Sequence, residues 1–175
     1  MAVGTKNSNL ITKYDATTVV ASTQGKEQGS VSVTQDTFEV VAEDVGDIGD
    51  VIKLARLESG YRPLSIQIWS DRLDTNGSPT LAMDLGIYLT DGTVKLADAF
   101  GSAVTSGWGT ADSTPVEYIT EAGVVPLAKI SKQMWEWAGD SEDDEIQYDI
   151  NLKVTAAAAT GSAGTISFMI WFTHS

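Results

Sequence analysis

Along most of this chain beyond residue 33, apolar and polar residues alternate with a period of two, the spacing that turns one face of a β-strand inward and the other outward. The clearest run is 81–89, where Leu81, Met83, Leu85, Ile87 and Leu89 alternate with Ala82, Asp84, Gly86 and Tyr88. Leu64, Ile66 and Ile68 flank Ser65 and Gln67. Ile146, Tyr148, Ile150, Leu152 and Val154 enclose Gln147, Asp149, Asn151 and Lys153, and Ile166, Phe168, Ile170 and Phe172 repeat the pattern near the end. An inward Leu or Ile contributes about 1.5–3 kcal/mol when fully buried, so a one-residue slip in pairing is heavily penalised. Segments 38–41 and 51–57 predict two further strands with a less regular pattern.

The punctuation between these runs agrees. Asp91-Gly92, between Leu89 and Val94, predicts a hairpin, because glycine supplies the positive φ that a primed turn requires. Asn76-Gly77, ahead of Pro79, predicts a turn between the strands at Ile66 and Leu85, and 161–164 predicts another between the last two strands. One segment has a different period: 126–138 places Leu127, Ile130, Met134 and Trp137 at helical spacing, with Pro126 suited to the first turn and Gly139 to the stop. It predicts one short amphipathic helix over the end of a sandwich. Residues 101–115, with Gly107-Trp108-Gly109 at their centre, predict a long loop.

Residues 1–32 are rich in Thr, Ser, Gln, Asn and Gly, and their apolar pairs, Leu10-Ile11 and Val19-Val20, are short and isolated. They predict an extended N-terminal arm ahead of a domain spanning 33–175. Two readings stay open for the arm: a terminus without fixed structure, or a segment that orders on a partner by adding its backbone to a neighbour's sheet edge. Tyr14 and the two apolar pairs favour the second. The fold class predicted for the whole is all-β, an antiparallel β-sandwich with one face of each strand buried.

Composition narrows the function classes. At 175 residues the chain suits a single domain with one core. It has no cysteine, which excludes disulfides, thiolate metal sites and cysteine nucleophiles. The first ten residues lack the apolar stretch of a secretory signal, and no run approaches the roughly 20 apolar residues of a membrane span, so no membrane partner and a cytoplasmic site of synthesis are expected. With 24 acidic against 11 basic residues the formal charge is −13, which repels a phosphate backbone and argues against a nucleic-acid partner.

Candidate chemistry is sparse. The one histidine, His174, is the second-last residue, on a terminus expected to fray, which is no place for an imidazole that must be held by neighbours. The acidic run Asp140, Glu142, Asp143, Asp144, Glu145 lacks the spacing of an EF-hand loop, and Asp74-Thr75-Asn76-Gly77 resembles only a fragment of one, so both are expected to be solvated loop or turn. No pair among the many carboxylates is singled out for glycosidase chemistry, and no dinucleotide, P-loop or G-x-S-x-G motif occurs. No catalytic residue, metal ligand or cofactor is therefore predicted. Trp69 and Trp171 fall opposite the apolar rows of their strands, and Trp108 sits between two glycines. Such rings can anchor a protein interface, stack on sugars or complete a core.

The runs GDVIKLARLESGYRPLSIQIWSDRLD (49–74), TLAMDLGIYLTDG (80–92) and YDINLKVTAAAATGSAGTISFMIWF (148–172) resemble a family of small phage head proteins. In these a Gly-Asp-Val-Ile-Lys-Leu strand, a Gly-centred turn, an alternating strand, a Leu-Asp turn and a Leu-x-Met/Val-x-Leu-Gly strand recur in order, closing with an alanine-rich hairpin and an apolar strand. The resemblance implies a jelly-roll-like head decoration, or cement, protein. It would bind the major capsid protein on the outside of the capsid, often as a homotrimer with a reaching arm, and stabilise the head without enzymatic activity. The contact candidates under that expectation are Leu10, Ile11, Tyr14, Val19 and Val20 on the arm, and Trp69, Tyr88, Trp108 and Trp171 on the domain. A carbohydrate-binding sandwich using the exposed tryptophans, and a tail or fibre protein of the same class, are the alternatives.

Overall fold

The computed structural model describes residues 5–8, 11–12, 15, 31–109, 115–119, 129 and 132–174. Among these, nine strands form two sheets: β1 (Thr5–Asn7), β2 (Val31–Val40), β3 (Val51–Glu58), β4 (Arg62–Ser70), β5 (Ala82–Leu89), β6 (Val94–Val104), β7 (Val116–Glu117), β8 (Gln147–Ala156) and β9 (Gly164–Thr173). One sheet has the order β1-β3-β8-β5-β6 and the other β2-β9-β4-β7. Only β1, lying along β3, is parallel to its neighbour; every other pairing is antiparallel. Setting β1 aside, eight strands interleave between two four-stranded sheets, which is the jelly roll.

The core forms where the predicted inward rows meet. Ile52, Leu57, Leu85, Ile87, Ile150 and Leu152 from one sheet face Phe38, Ile66, Ile68, Ile166, Phe168 and Ile170 from the other, all buried in one cluster. The less regular pattern of β3 has a local cause. A bulge between Lys53 and Ala55 turns both Leu54 and Ala55 into the core, breaking the alternation at one point.

Four expectations need correction. Leu64 does not point inward: a bulge between Pro63 and Ser65 leaves it 40% exposed while Pro63 is buried. Residues 101–104 belong to β6 and not to a loop. The alanine-rich segment after β8 is not a hairpin, because β8 and β9 lie in different sheets and the segment crosses between them. His174 does not hang free: its ring stands edge-on to Tyr61, centroids 4.5 Å apart, and its Nε2 lies 3.0 Å from the Ser32 hydroxyl.

The helix α1 (Met134–Ala138) covers the last turn of the predicted 126–138 segment; Pro126, Leu127 and Ile130 lie outside the described residues. It sits at the end of the sandwich as predicted. Met134 N–H donates to the Tyr61 carbonyl at 2.8 Å, and Trp137 packs on Phe100 with centroids 5.0 Å apart. Gly139, at φ +83°, ends it in the left-handed conformation expected of a helix stop. The Asp91-Gly92 hairpin also forms, with Gly92 at φ +91° and Leu89 N–H donating to the Thr93 carbonyl at 2.8 Å.

The turn at 74–77 is organised by one carboxylate. Asp74 is fully buried, and its two oxygens accept backbone N–H groups of Asn76, Thr80, Leu81, Ala159 and Thr160 at 2.8–3.2 Å. It thereby ties the β4–β5 crossing to the β8–β9 crossing. Burial alone pushes this carboxyl up, but the converging N–H donors outweigh burial and hold it at about 2.

Candidate functional site

The two sheets turn very different outer faces away from the core. On the five-stranded sheet, cross-strand register sets Arg56, Asp149 and Tyr88 in one row and Asn7, Lys53, Asn151 and Gly86 in the next. Outward positions on a sheet are ordinarily wet, yet Asp149, Asn151 and Tyr88 are all buried here. Asp149 accepts two bonds from the Arg56 guanidinium, at 2.6 and 3.2 Å, and one from Lys53 at 3.3 Å; Arg56 in turn reaches Asp15 at 3.2 Å. A fully buried carboxylate held by two cations satisfies the condition under which a buried charge is tolerated.

The chain covers this face itself, in two ways. On one side the N-terminal segment docks through β1, the Ser8 hydroxyl donates to the Leu54 carbonyl, and Ile11 is fully buried although it is no part of the sandwich core. On the other, β6 departs from simple pairing. Ile87 opposes Leu96 while Leu85 opposes Gly101, so β6 spends extra residues over the outer side of β5. Gly86 makes that possible, since a Cβ there would lie 2.2 Å from the Ala97 carbonyl oxygen. Tyr88 is buried in consequence, and burial, followed by the nearby Asp84 charge, pushes its hydroxyl pKa up.

The outer face of the four-stranded sheet is bare among the described residues. β2 contributes Val31, Val33, Gln35, Thr37 and Glu39; β9 contributes Thr165, Ser167, Met169, Trp171 and Thr173; β4 contributes Arg62, Ser65, Gln67 and Trp69. Val31 is 56% exposed and Val33 45%, and the bulged Leu64, two strands away on β4, is 40% exposed, while Trp69, Met169 and Trp171 are half-buried. Trp171 pairs with Ser65, four residues from Trp69, so the two rings are anchored about 13 Å apart along neighbouring strands. On β2, β9 and β4 charge is confined to the two ends, Arg62 at one and Glu39 at the other. Glu117, at the β7 margin, spends its carboxylate on Ser65, Ile66 N–H and Ile119 N–H.

The predicted contact residues therefore divide. Trp69 and Trp171 share the bare face. Tyr88 and Ile11 are buried on the covered one. Trp108 is interior: its indole N–H donates to the Val104 carbonyl at 3.0 Å, Gly107 adopts φ +90°, and a Cβ on Gly109 would meet Pro79 at 2.6 Å, so its glycines serve tight packing and not display. Leu10, Tyr14, Val19 and Val20 lie outside the described residues. The missed elements were the β6 crossing and the Asp149 ion cluster. A glycine at an outward strand position is the signal that marks close approach of another backbone.

No group of three or more acidic or histidine side chains placed to hold a metal occurs among the described residues, and none of their helices is long and apolar enough to cross a membrane. In the acidic run, Asp140 is bound by Lys95 and the Tyr148 hydroxyl, and Asp143 accepts the Glu145 N–H at 2.9 Å. A polar cleft lined by Lys6, Asn7, Thr37, Phe38 and Glu39 opens where β1 and β2 approach.

No protein-family model matches the sequence, and a search of curated proteins finds no match. Solved structures do match. A chain of the "Capsid of Ralstonia phage GP4" aligns over 98% of this chain and 99% of its own length, with a TM-score of 0.69 at 20% identity. The fold is shared end to end. A chain of the "Cyanophage Pam1 capsid asymmetric unit" aligns over 91% of this chain and 95% of its own, with a TM-score of 0.55, also at 20% identity. At that identity the likeness is one of fold, and in both cases it joins whole chains and not a shared fragment.

Proposed function

We propose that this protein is a structural, non-enzymatic component of a phage virion: a decoration or cement protein that binds the major capsid protein on the outer capsid surface and stabilises the head, assembling as a homotrimer. The observation that carries the reading is the whole-length fold match to a chain of the Ralstonia phage GP4 capsid, with neither chain left over. The sequence motifs that resemble phage head proteins support it independently. So does the surface: its distinctive features among the described residues are an apolar face with few charges and a self-covered one, both suited to contacts.

The mechanism is buried area. Many modest contacts across a subunit seam sum to a clamp that raises the force or temperature needed to open the lattice. Co-sedimentation of the purified protein with heads that lack it tests this directly. Saturable binding with a raised disruption temperature is the expected result; no binding to any head lattice of its own phage contradicts it.

One observation favours a second reading. Trp69 and Trp171 flank Gln67 on one exposed face, the aromatic-plus-amide composition that also suits a glycan. Titration of tryptophan fluorescence with host polysaccharides separates the two, and no shift is expected.

A further inference from the structure

We propose that the outer face of the four-stranded sheet is the surface through which copies of this chain meet one another. The inference rests on the homo-oligomer part of the reading above and assigns it a place.

Charge carries the argument. The chain bears a formal −13, so two copies repel wherever their acidic surfaces approach. The rows contributed by β2, β9 and β4 form a broad exception, with Glu39 at one end and Arg62 at the other; among the described residues the one charge between the ends is Glu117 on the β7 margin, opposite Gln67, whose carboxylate is taken up by Ser65 and two backbone N–H groups. In their place stand Val31, Val33, Leu64, Trp69, Met169 and Trp171, and depletion of charge with enrichment of tryptophan and methionine is the compositional mark of an interface centre. An unrelated acidic or basic partner would have no use for a neutral centre with opposite charges at its two ends. A second copy does. In a closed ring the Arg62 end of each copy lies against the Glu39 end of the next, with the apolar rows turned toward the shared axis.

Size sets the expected strength. Ten-residue strands and three strand spacings give a face of roughly 33 by 14 Å, about 500 Å² per copy, at the lower edge of specific interfaces. Association should therefore be reversible and visible in the concentration dependence of mass.

The test is native mass across a wide concentration range for the wild-type chain and three variants: Val33→Lys, Arg62→Glu, and Arg62→Glu combined with Glu39→Arg. The wild type is expected to move from one chain to a closed multiple. Val33→Lys should weaken association roughly 30-fold, as for a charge placed at an interface centre, although it lowers the net negative charge that keeps copies apart. Arg62→Glu should weaken it about fivefold and the double exchange should restore it. All of these positions are exposed, so unfolding midpoints should match wild type; should Val33→Lys fail that control, Val31→Lys takes its place. A chain that stays single at every concentration overturns the proposal, as does an oligomer indifferent to Val33→Lys or a double exchange that restores nothing. A single chain that still sediments with heads overturns this contact and leaves the virion role standing, whereas an intact oligomer that never binds heads does the reverse.

Discussion

The two outer faces of the sandwich are built from strands of the same kind, yet one is closed by its own chain and the other, among the described residues, is open. The five-stranded face carries the charges, Arg56, Lys53 and Asp149, and buries them beneath the N-terminal segment and the β6 crossing. The four-stranded face carries half-buried tryptophans and leaves Val31, Val33 and Leu64 in water. The arrangement inverts the usual expectation that charge lies outside and apolar surface inside. Under the proposal above the two sheets divide the work: the polar face is covered by the chain itself, and the apolar face, uncovered among the described residues, is the one a second copy would cover.

The largest effect that would break this comparison is Asp149→Ala. It leaves Arg56 and Lys53 under cover without their shared carboxylate, and loss of one partner from a buried ion cluster costs roughly 3–5 kcal/mol. Urea unfolding measures it; a loss below about 1 kcal/mol would mean the cluster is wet and the face not closed.

Next comes Ile11→Ala, expected to cost about 3 kcal/mol although the residue lies outside the main core, because a fully buried isoleucine is truncated. An unchanged midpoint would show that the N-terminal segment contributes no cover.

Asp74 isolates the tie between the sheets from either face. Its carboxyl titrates at about 2 in the folded chain against an ordinary value of 3.8, so the stabilisation it contributes is fully present above pH 4. That share, about 2 kcal/mol, is lost as pH falls from 4 toward 2. Asp74→Asn should lower stability at neutral pH and flatten that part of the curve, as read by thermal unfolding at stepped pH. A variant with the wild-type acid limb would place the acid sensitivity elsewhere.

The smallest expected effect sharpens the contrast most. Val33→Lys on the open face should change folding stability by no more than about 0.5 kcal/mol. The same residue should dominate binding. A large loss of stability would make the face part of the core after all.

Much of this was legible in the residues. The rows at 81–89, 146–154 and 166–172 formed strands because alternation states which face is buried, and Gly92 and Gly139 ended elements where a positive φ was needed. The outward placement of Trp69 and Trp171 followed from the same alternation. What stayed hidden depended on residues far apart in the chain. β6 reads as VKLADAFGSAV, with no clean period, because it is bent to cross Gly86. Arg56 and Asp149 carry no local sign that they will be paired, since register between β3 and β8 brings them together. Trp108, between glycines, has the sequence look of a displayed ring, and only the packing of Gly109 against Pro79 shows why those glycines are there.

The most direct test of this division is oxidative footprinting of side chains in the free protein and in the assembled particle. Val33, Met169, Trp69 and Trp171 should be modified in the dilute free chain and protected in the particle, while Tyr88 and Ile11 stay unmodified in both. Equal modification of the four open-face residues in the two states would contradict the account, because the apolar face would then remain bare where it is proposed to be covered.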